Sequence, residues 1–265
     1  MGNIFCSPLG GLCNKIRHIV CGKILAESLG YNFYITDWID NDYMPGFDTV
    51  FNINNTYNVR ETDVDIDFYV NMDTTPIYDL NELKKYNNIF LPGFSIIKIL
   101  DMPEEEWNIK FTEYLKLIDP VKSIKGKIPK LNENTIGIHI RRGDNEISIK
   151  NSPIEKFLET LTLHSDRNIF LTTDDKEVET LLVAKYPNII TNKKTGFHNN
   201  KTIIRADIRT EMDLKRPKGE LITTLEEAII DLYTLSQCKL IYGSYWSSFS
   251  EIAAEINKSK LIMVK

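Results

Sequence analysis

Cysteine is scarce in this 265-residue chain, and the four that occur, at 6, 13, 21 and 238, form no CxxC pair. That spacing fits neither a zinc site nor a disulfide framework, and it predicts free thiols in a reducing, cytoplasmic compartment. No apolar run approaches the ~20 residues that span a bilayer, and no basic-then-apolar signal region is present, so a transmembrane segment is not expected. Excess positive charge is also missing. Lys and Arg number 32 against 37 Asp and Glu, a formal charge of −5 that argues against a dedicated nucleic-acid binder. Internal repeats are absent as well. What is there, 42% hydrophobic and 26% charged residues, is the balance of an ordinary folded protein of one large domain or two small ones.

The order of elements is legible at both ends. After a short strand at 3–6, the run Gly10-Gly11-Leu12-Cys13-Asn14-Lys15 leads into Ile16, Ile19, Val20, Ile24, Leu25 and Leu29 at helical spacing. Gly30 closes that helix and 31–35 reads as a second strand, a βαβ opening whose glycine loop lies where anions settle. Residues 40–130 are rich in Asn and Asp; 63–68 alternates like a half-buried strand, and 80–86 and 104–118 read as helices. Periodicity breaks at 122–130, which sets a boundary between domains 1–130 and 131–265. Beyond it, strands at 135–140, 168–172, 188–190, 239–242 and 261–264 alternate with helices at 152–164, 175–186, 221–237 and 249–257. Such repeats predict an α/β protein with mainly parallel sheets covered on both faces.

The stretch Ile136-Gly137-Ile138-His139-Ile140-Arg141-Arg142-Gly143-Asp144 is an apolar strand that empties into a basic turn. A guanidinium is a rigid fork of donors, charged at any working pH, that suits the two oxygens of a phosphate or carboxylate. A solvated strand edge explains an isolated Arg-Arg pair equally well. In an open α/β fold, however, this turn converges with 172–175 and with the hydroxyl-rich 243–250 at the carboxyl ends of the strands, where ligands bind. Ser247 and Ser248 then serve either as helix caps or as donors to a phosphate.

Taken together, residues 10–17, the run His139-Ile140-Arg141-Arg142-Gly143-Asp144, and 231–236 leading into Ser247-Ser248-Phe249-Ser250 resemble the fucosyltransferase superfamily. That group includes the α1,2-, α1,6-, nodulation and protein O-fucosyltransferases. The resemblance implies a GT-B-like pair of Rossmann-like domains facing a cleft, the second holding GDP-fucose and the first the glycan acceptor. It also implies inverting transfer without a metal or other cofactor. Arg141 looks like the arginine that contacts the diphosphate, and Arg142 beside it like a further contact to the donor. His139 and Asp231 resemble the positions that hold guanine, Ser247 and Ser248 look like phosphate donors, and Asn14 and Arg17 like the contribution of the first domain. Cys13 stands where the family has a third glycine. Asp144 matches the motif either as a brace for the arginines or, like Glu146, as a base for the acceptor hydroxyl.

Other readings start from other residues. Asp63-Val64-Asp65 and Asp65-Ile66-Asp67 each spell the DxD of metal-dependent glycosyltransferases. A different nucleotide sugar, or a binding module that has lost catalysis, would use the same phosphate clamp. The segment 191–220, with His198, Arg205, Asp207, Arg209 and Arg216, is long enough for a lid, an acceptor wall or a solvated loop.

Overall fold

The computed structural model describes residues 1–36, 46–59, 64–70, 77–94, 96–143, 145–196 and 223–265. Asp63, Asp144, His198, Arg205, Asp207, Arg209 and Arg216 lie outside the described residues. Two compact units make up the chain, Met1–Val121 and Lys122–Lys265. The division falls ahead of the expected boundary at 130 because the aperiodic stretch is tied to the second unit. Ile124 is buried, Lys127 pairs with Glu226 at 2.5 Å, and the Gln237 amide donates to the Pro129 carbonyl at 2.8 Å.

In the first unit the order is β1 (Asn3–Pro8), α1 (Leu12–Leu29), β2 (Asn32–Ile35), α2 (Phe47–Val50), β3 (Phe68–Tyr69), β4 (Ile77–Tyr78), α3 (Leu80–Leu83), β5 (Asn88–Gly93), β6 (Lys98–Ile99) and α4 (Glu104–Lys116). Its main sheet runs β2-β1-β5-β3, all parallel. Helix α1 buries Ile16, Ile19, Ile24 and Leu25, and Gly30 ends it in the left-handed region at φ 73°.

Two expectations fail here. The strand expected at 63–68 shrinks to Phe68–Tyr69, since the Asp67 carboxylate accepts from the backbone N–H of Asn87 and Asn88, both at 2.8 Å, and makes a turn brace of the acidic stretch. Strand β5, unmarked by the sequence reading, is the partner of both β1 and β3.

The second unit contains α5 (Lys122–Lys125), β7 (Ile136–Ile140), α6 (Glu146–Asn151), α7 (Ile154–Leu163), β8 (Ile169–Thr173), α8 (Lys176–Lys185), β9 (Ile189–Ile190), α9 (Leu225–Leu235), β10 (Leu240–Ser244), α10 (Ser248–Asn257) and β11 (Lys260–Val264). Its sheet runs β11-β10-β7-β8-β9, again all parallel, so the most apolar strand, β7, lies in the middle. Ile136, Ile138 and Ile140 meet Phe157 and Leu161 of α7 on one face. The other face takes α9 closely: a Cβ on Gly137 would lie 2.6 Å from the Leu235 side chain, so only glycine admits the helix there. Asp175 caps α8 through the N–H groups of Glu177 and Val178, and Thr224 with Glu227 forms a capping box on α9. Among the described residues no helix is long and apolar enough to cross a membrane.

Candidate functional site

Parallel pairing brings three loops of the second unit out at one end of its sheet. Ile140 is level with Thr173, and His139 with both Thr172 and Gly243, so the residues after β7, β8 and β10 emerge side by side. Arg141 is the first residue past its strand. Its backbone N–H donates to the Ser244 hydroxyl at 2.9 Å, and its guanidinium pairs with the Asp174 carboxylate. The same carboxylate accepts from the Arg142 N–H at 2.7 Å, so one aspartate fixes both the main chain and the side chain of the turn. Gly143 has a φ of 34°, and a Cβ there would lie 2.5 Å from Asp174 Oδ2; glycine lets the carboxylate sit against the turn.

The two arginines differ in their surroundings. Arg141 keeps about a quarter of its side chain exposed (27%), with Asp174 beneath it. Arg142 is buried: its Nη1 donates to the Ser152 and Arg141 carbonyls at 2.9 and 3.1 Å, and the guanidinium lies 5.8 Å above the Phe157 ring. Burial lowers its pKa, while Asp174, Asp175 and Glu155 favour the charged form. Ser152 in turn receives the Tyr245 N–H at 2.8 Å, which ties the 245–247 loop to the arginine turn. At that loop Ser247 is buried at the start of α10 and makes no side-chain cap bond, and Ser248 opens the helix half-buried. The first-turn N–H groups of α10 are thus not consumed by a serine cap.

His139 lies on the sheet face that α9 covers, level with Thr172, which donates to Asp231. The imidazole is buried, stacks on Phe249 at 4.8 Å, and has no hydrogen-bond partner on Nδ1 among the described residues. Burial, and after it the charges of Arg141 and Lys194, pull its pKa down to about 3. Asp231 lies on the packed face of α9. It is buried and accepts from Thr172 at 2.7 Å and Asn192 at 2.8 Å, with the Lys194 ammonium at 3.4 Å. Burial raises its pKa against the pull of Lys194, Thr172 and Asn192. Neither Asn192 nor Lys194 was marked by the sequence, which offers no motif for them; only their place just past β9 points here.

The neutral imidazole has a consequence for stability. Below the ordinary histidine pKa of 6.5 the unfolded chain takes up a proton that the folded chain refuses until about pH 3. Stability from His139 is therefore present above pH 6.5 and falls as the pH drops toward 3, by about 2 kcal/mol between pH 7 and pH 5. Urea unfolding at the two pH values should show a larger loss for the wild type than for His139→Gln. Equal losses would mean that the folded protein accepts the proton.

Asn14 and Arg17 belong to the first unit, on the first turns of α1, both half-buried. Asn14 lies against Gly10, which has a φ of 82°. Cys13, which stands where the resembled family has a third glycine, is buried. All four cysteines are buried free thiols. Of the carboxylates in the DxD readings, Asp67 is engaged by the backbone of 87–88. Among the described residues no three His, Cys, Asp or Glu side chains cluster as metal ligands would.

No protein-family profile and no characterised protein sequence matches the chain. Solved structures do. The fucosyltransferase NodZ from Bradyrhizobium superposes with a TM-score of 0.58 at 14% identity, covering 95% of this chain and 92% of that one. NodZ α-1,6-fucosyltransferase co-crystallised with GDP gives 0.60 at 14%, over 95% and 91%. POFUT1 in complex with GDP-fucose gives 0.56 at 10%, over 99% and 98%. The likeness extends over nearly the whole chain, and the fold is therefore fucosyltransferase-like, α/β with mainly parallel sheets as the sequence predicts.

Proposed function

We propose that the chain is an inverting, metal-independent glycosyltransferase that moves fucose from GDP-fucose to a hydroxyl of a glycan or glycoconjugate. In this reading the second unit binds the donor and the first faces the acceptor. The observation that carries it is the Arg141 turn: a partly exposed guanidinium, fixed by Asp174 and Ser244, at the carboxyl end of a parallel sheet. That it sits on a fold shared with GDP-fucose-binding proteins adds support.

The chemistry asks for such a group. As the bond from fucose to the diphosphate breaks, negative charge builds on the β-phosphate, and a guanidinium already aimed there stabilises the transition state more than the ground state. Ser247, Ser248 and the start of α10 supply further donors to the same phosphates. Asn14 and Arg17 are assigned to the donor from the first unit. His139 and Asp231 are assigned to the guanine base. Arg142 is assigned to the donor beside Arg141, and its contacts with the Ser152 carbonyl and the Phe157 ring also hold the turn. Asp144 and Glu146 are the carboxylates nearest in sequence for the acceptor proton, and Asp174 braces both arginines. Buried free thiols fit a reducing, cytoplasmic setting.

The test is GDP release from GDP-fucose, GDP-mannose, UDP-sugars and dTDP-rhamnose over a glycan acceptor panel, with and without EDTA. Acceptor-dependent release from GDP-fucose, unchanged by EDTA and giving a product of inverted anomeric configuration, is expected. Loss of transfer with EDTA would favour the metal-dependent alternative, and GDP binding without turnover a binding module.

A further inference from the structure

The buried cluster around Asp231 contains one group that the nucleotide-sugar reading does not use. Lys194 is almost fully enclosed, 2.6 Å from Glu179 Oε2 and 3.4 Å from Asp231 Oδ2. Thr172 and Asn192 also donate to Asp231, at Oδ2 and Oδ1 respectively. On the same sheet face, one strand over, His139 keeps a buried Nδ1 with no partner among the described residues. A buried polar atom without a partner beside a charged cluster points to a ligand edge that completes it.

We infer that Lys194 is a specificity residue that reads the donor's base: its ammonium donates to the carbonyl oxygen at position 6 of a guanine whose N1–H and N2–H are taken by Asp231. The inference rests on the nucleotide-sugar reading above and extends it to the choice of base. Its argument is the order of groups. Lys194, Oδ2 and Oδ1 present donor, acceptor, acceptor in sequence, and the pairing edge of guanine presents acceptor, donor, donor. Adenine offers an amino group where Lys194 needs an acceptor, and uracil sets a carbonyl against Oδ1; both leave like groups face to face.

The distances also say how room is made. Lys194 is anchored on Glu179, and its approach to Asp231 is longer than that pair. Moving the ammonium to a base carbonyl frees a lone pair of Oδ2 for N1–H and leaves the Glu179 pair intact. Oδ1 has a second lone pair beyond the one that Asn192 uses, and N2–H takes it. Lys194 thus closes the base site as a donor when guanine is bound and as a counter-ion for Asp231 when it is not.

The test compares affinities by calorimetry. Wild type is titrated with GDP, with 6-thio-GDP, whose sulfur accepts poorly while N1–H and N2–H remain, and with ADP. Lys194→Met and Lys194→Arg are titrated with GDP and ADP. We expect 6-thio-GDP to bind wild type roughly tenfold more weakly than GDP, Lys194→Met to cut the GDP-to-ADP preference by roughly 10- to 100-fold, and Lys194→Arg to restore most of it. Equal binding of GDP and 6-thio-GDP overturns the inference, and so does an unchanged preference in Lys194→Met; the first needs no variant and holds even if the second does not fold. Absence of any GDP binding to wild type is a distinct result, which overturns the nucleotide-sugar reading and this inference together.

Discussion

Arg141→Ala should lower the transfer rate from GDP-fucose by roughly 10²- to 10³-fold, the scale on which a single preorganised donor to a developing charge contributes. The guanidinium is fixed before the donor arrives, by Asp174 on the side chain and Ser244 on the main chain, so little reorganisation is needed as charge appears on the leaving diphosphate. Arg141→Lys should recover only part of the rate, because an ammonium cannot hold Asp174 and a phosphate in the same planar fork. Stability should change less, since Arg141 keeps about a quarter of its side chain exposed (27%) and Asp174 still accepts from the Arg142 N–H. Steady-state kinetics with thermal melts on the same samples separates the two effects; a variant that melts like wild type and transfers at the wild-type rate would remove Arg141 from the chemistry.

Asp174→Ala should be the most damaging substitution outside the donor contacts. It strips the Arg142 N–H of its acceptor, releases the Arg141 side chain, and leaves a void against Gly143. An abandoned buried donor costs about 1–3 kcal/mol, and an arginine free to swing forfeits part of its advantage in the transition state. The expected result is a lowered melting temperature together with a tenfold or greater loss of transfer. Asp174→Asn, which keeps an acceptor for the Arg142 N–H and loses the charge on Arg141, should recover stability more than activity. If both variants transfer at the wild-type rate, Arg141 does not depend on Asp174 for its position.

Asp174 also shows how far the sequence could be followed. The alternation of strands and helices in 131–265 was readable because β-branched runs and helical spacing are local properties, and the convergence of three loops follows from parallel pairing. Which carboxylate braces the arginines was not readable from proximity in the chain. Asp174, thirty-odd residues on, is placed by register: Ile140 lies opposite Thr173, so the next residues of both strands meet. Lys194 and Asn192 reach Asp231 through the same kind of non-local closure.

In the first unit the failures have local causes. Strand β5 carries Pro92 and Gly93 and follows an Asn-rich stretch, so its apolar core of Ile89-Phe90-Leu91 was too short to stand out. The alternation at 63–68 was real, but Asp67 spends its carboxylate on the backbone of 87–88.

The most direct measurement of the central claim is a crystal structure with GDP bound. The account predicts the β-phosphate on Arg141 and the Ser247-Ser248 turn, with the guanine edge on Asp231. GDP held elsewhere on the chain, or phosphates that leave Arg141 paired with Asp174 alone, would contradict it.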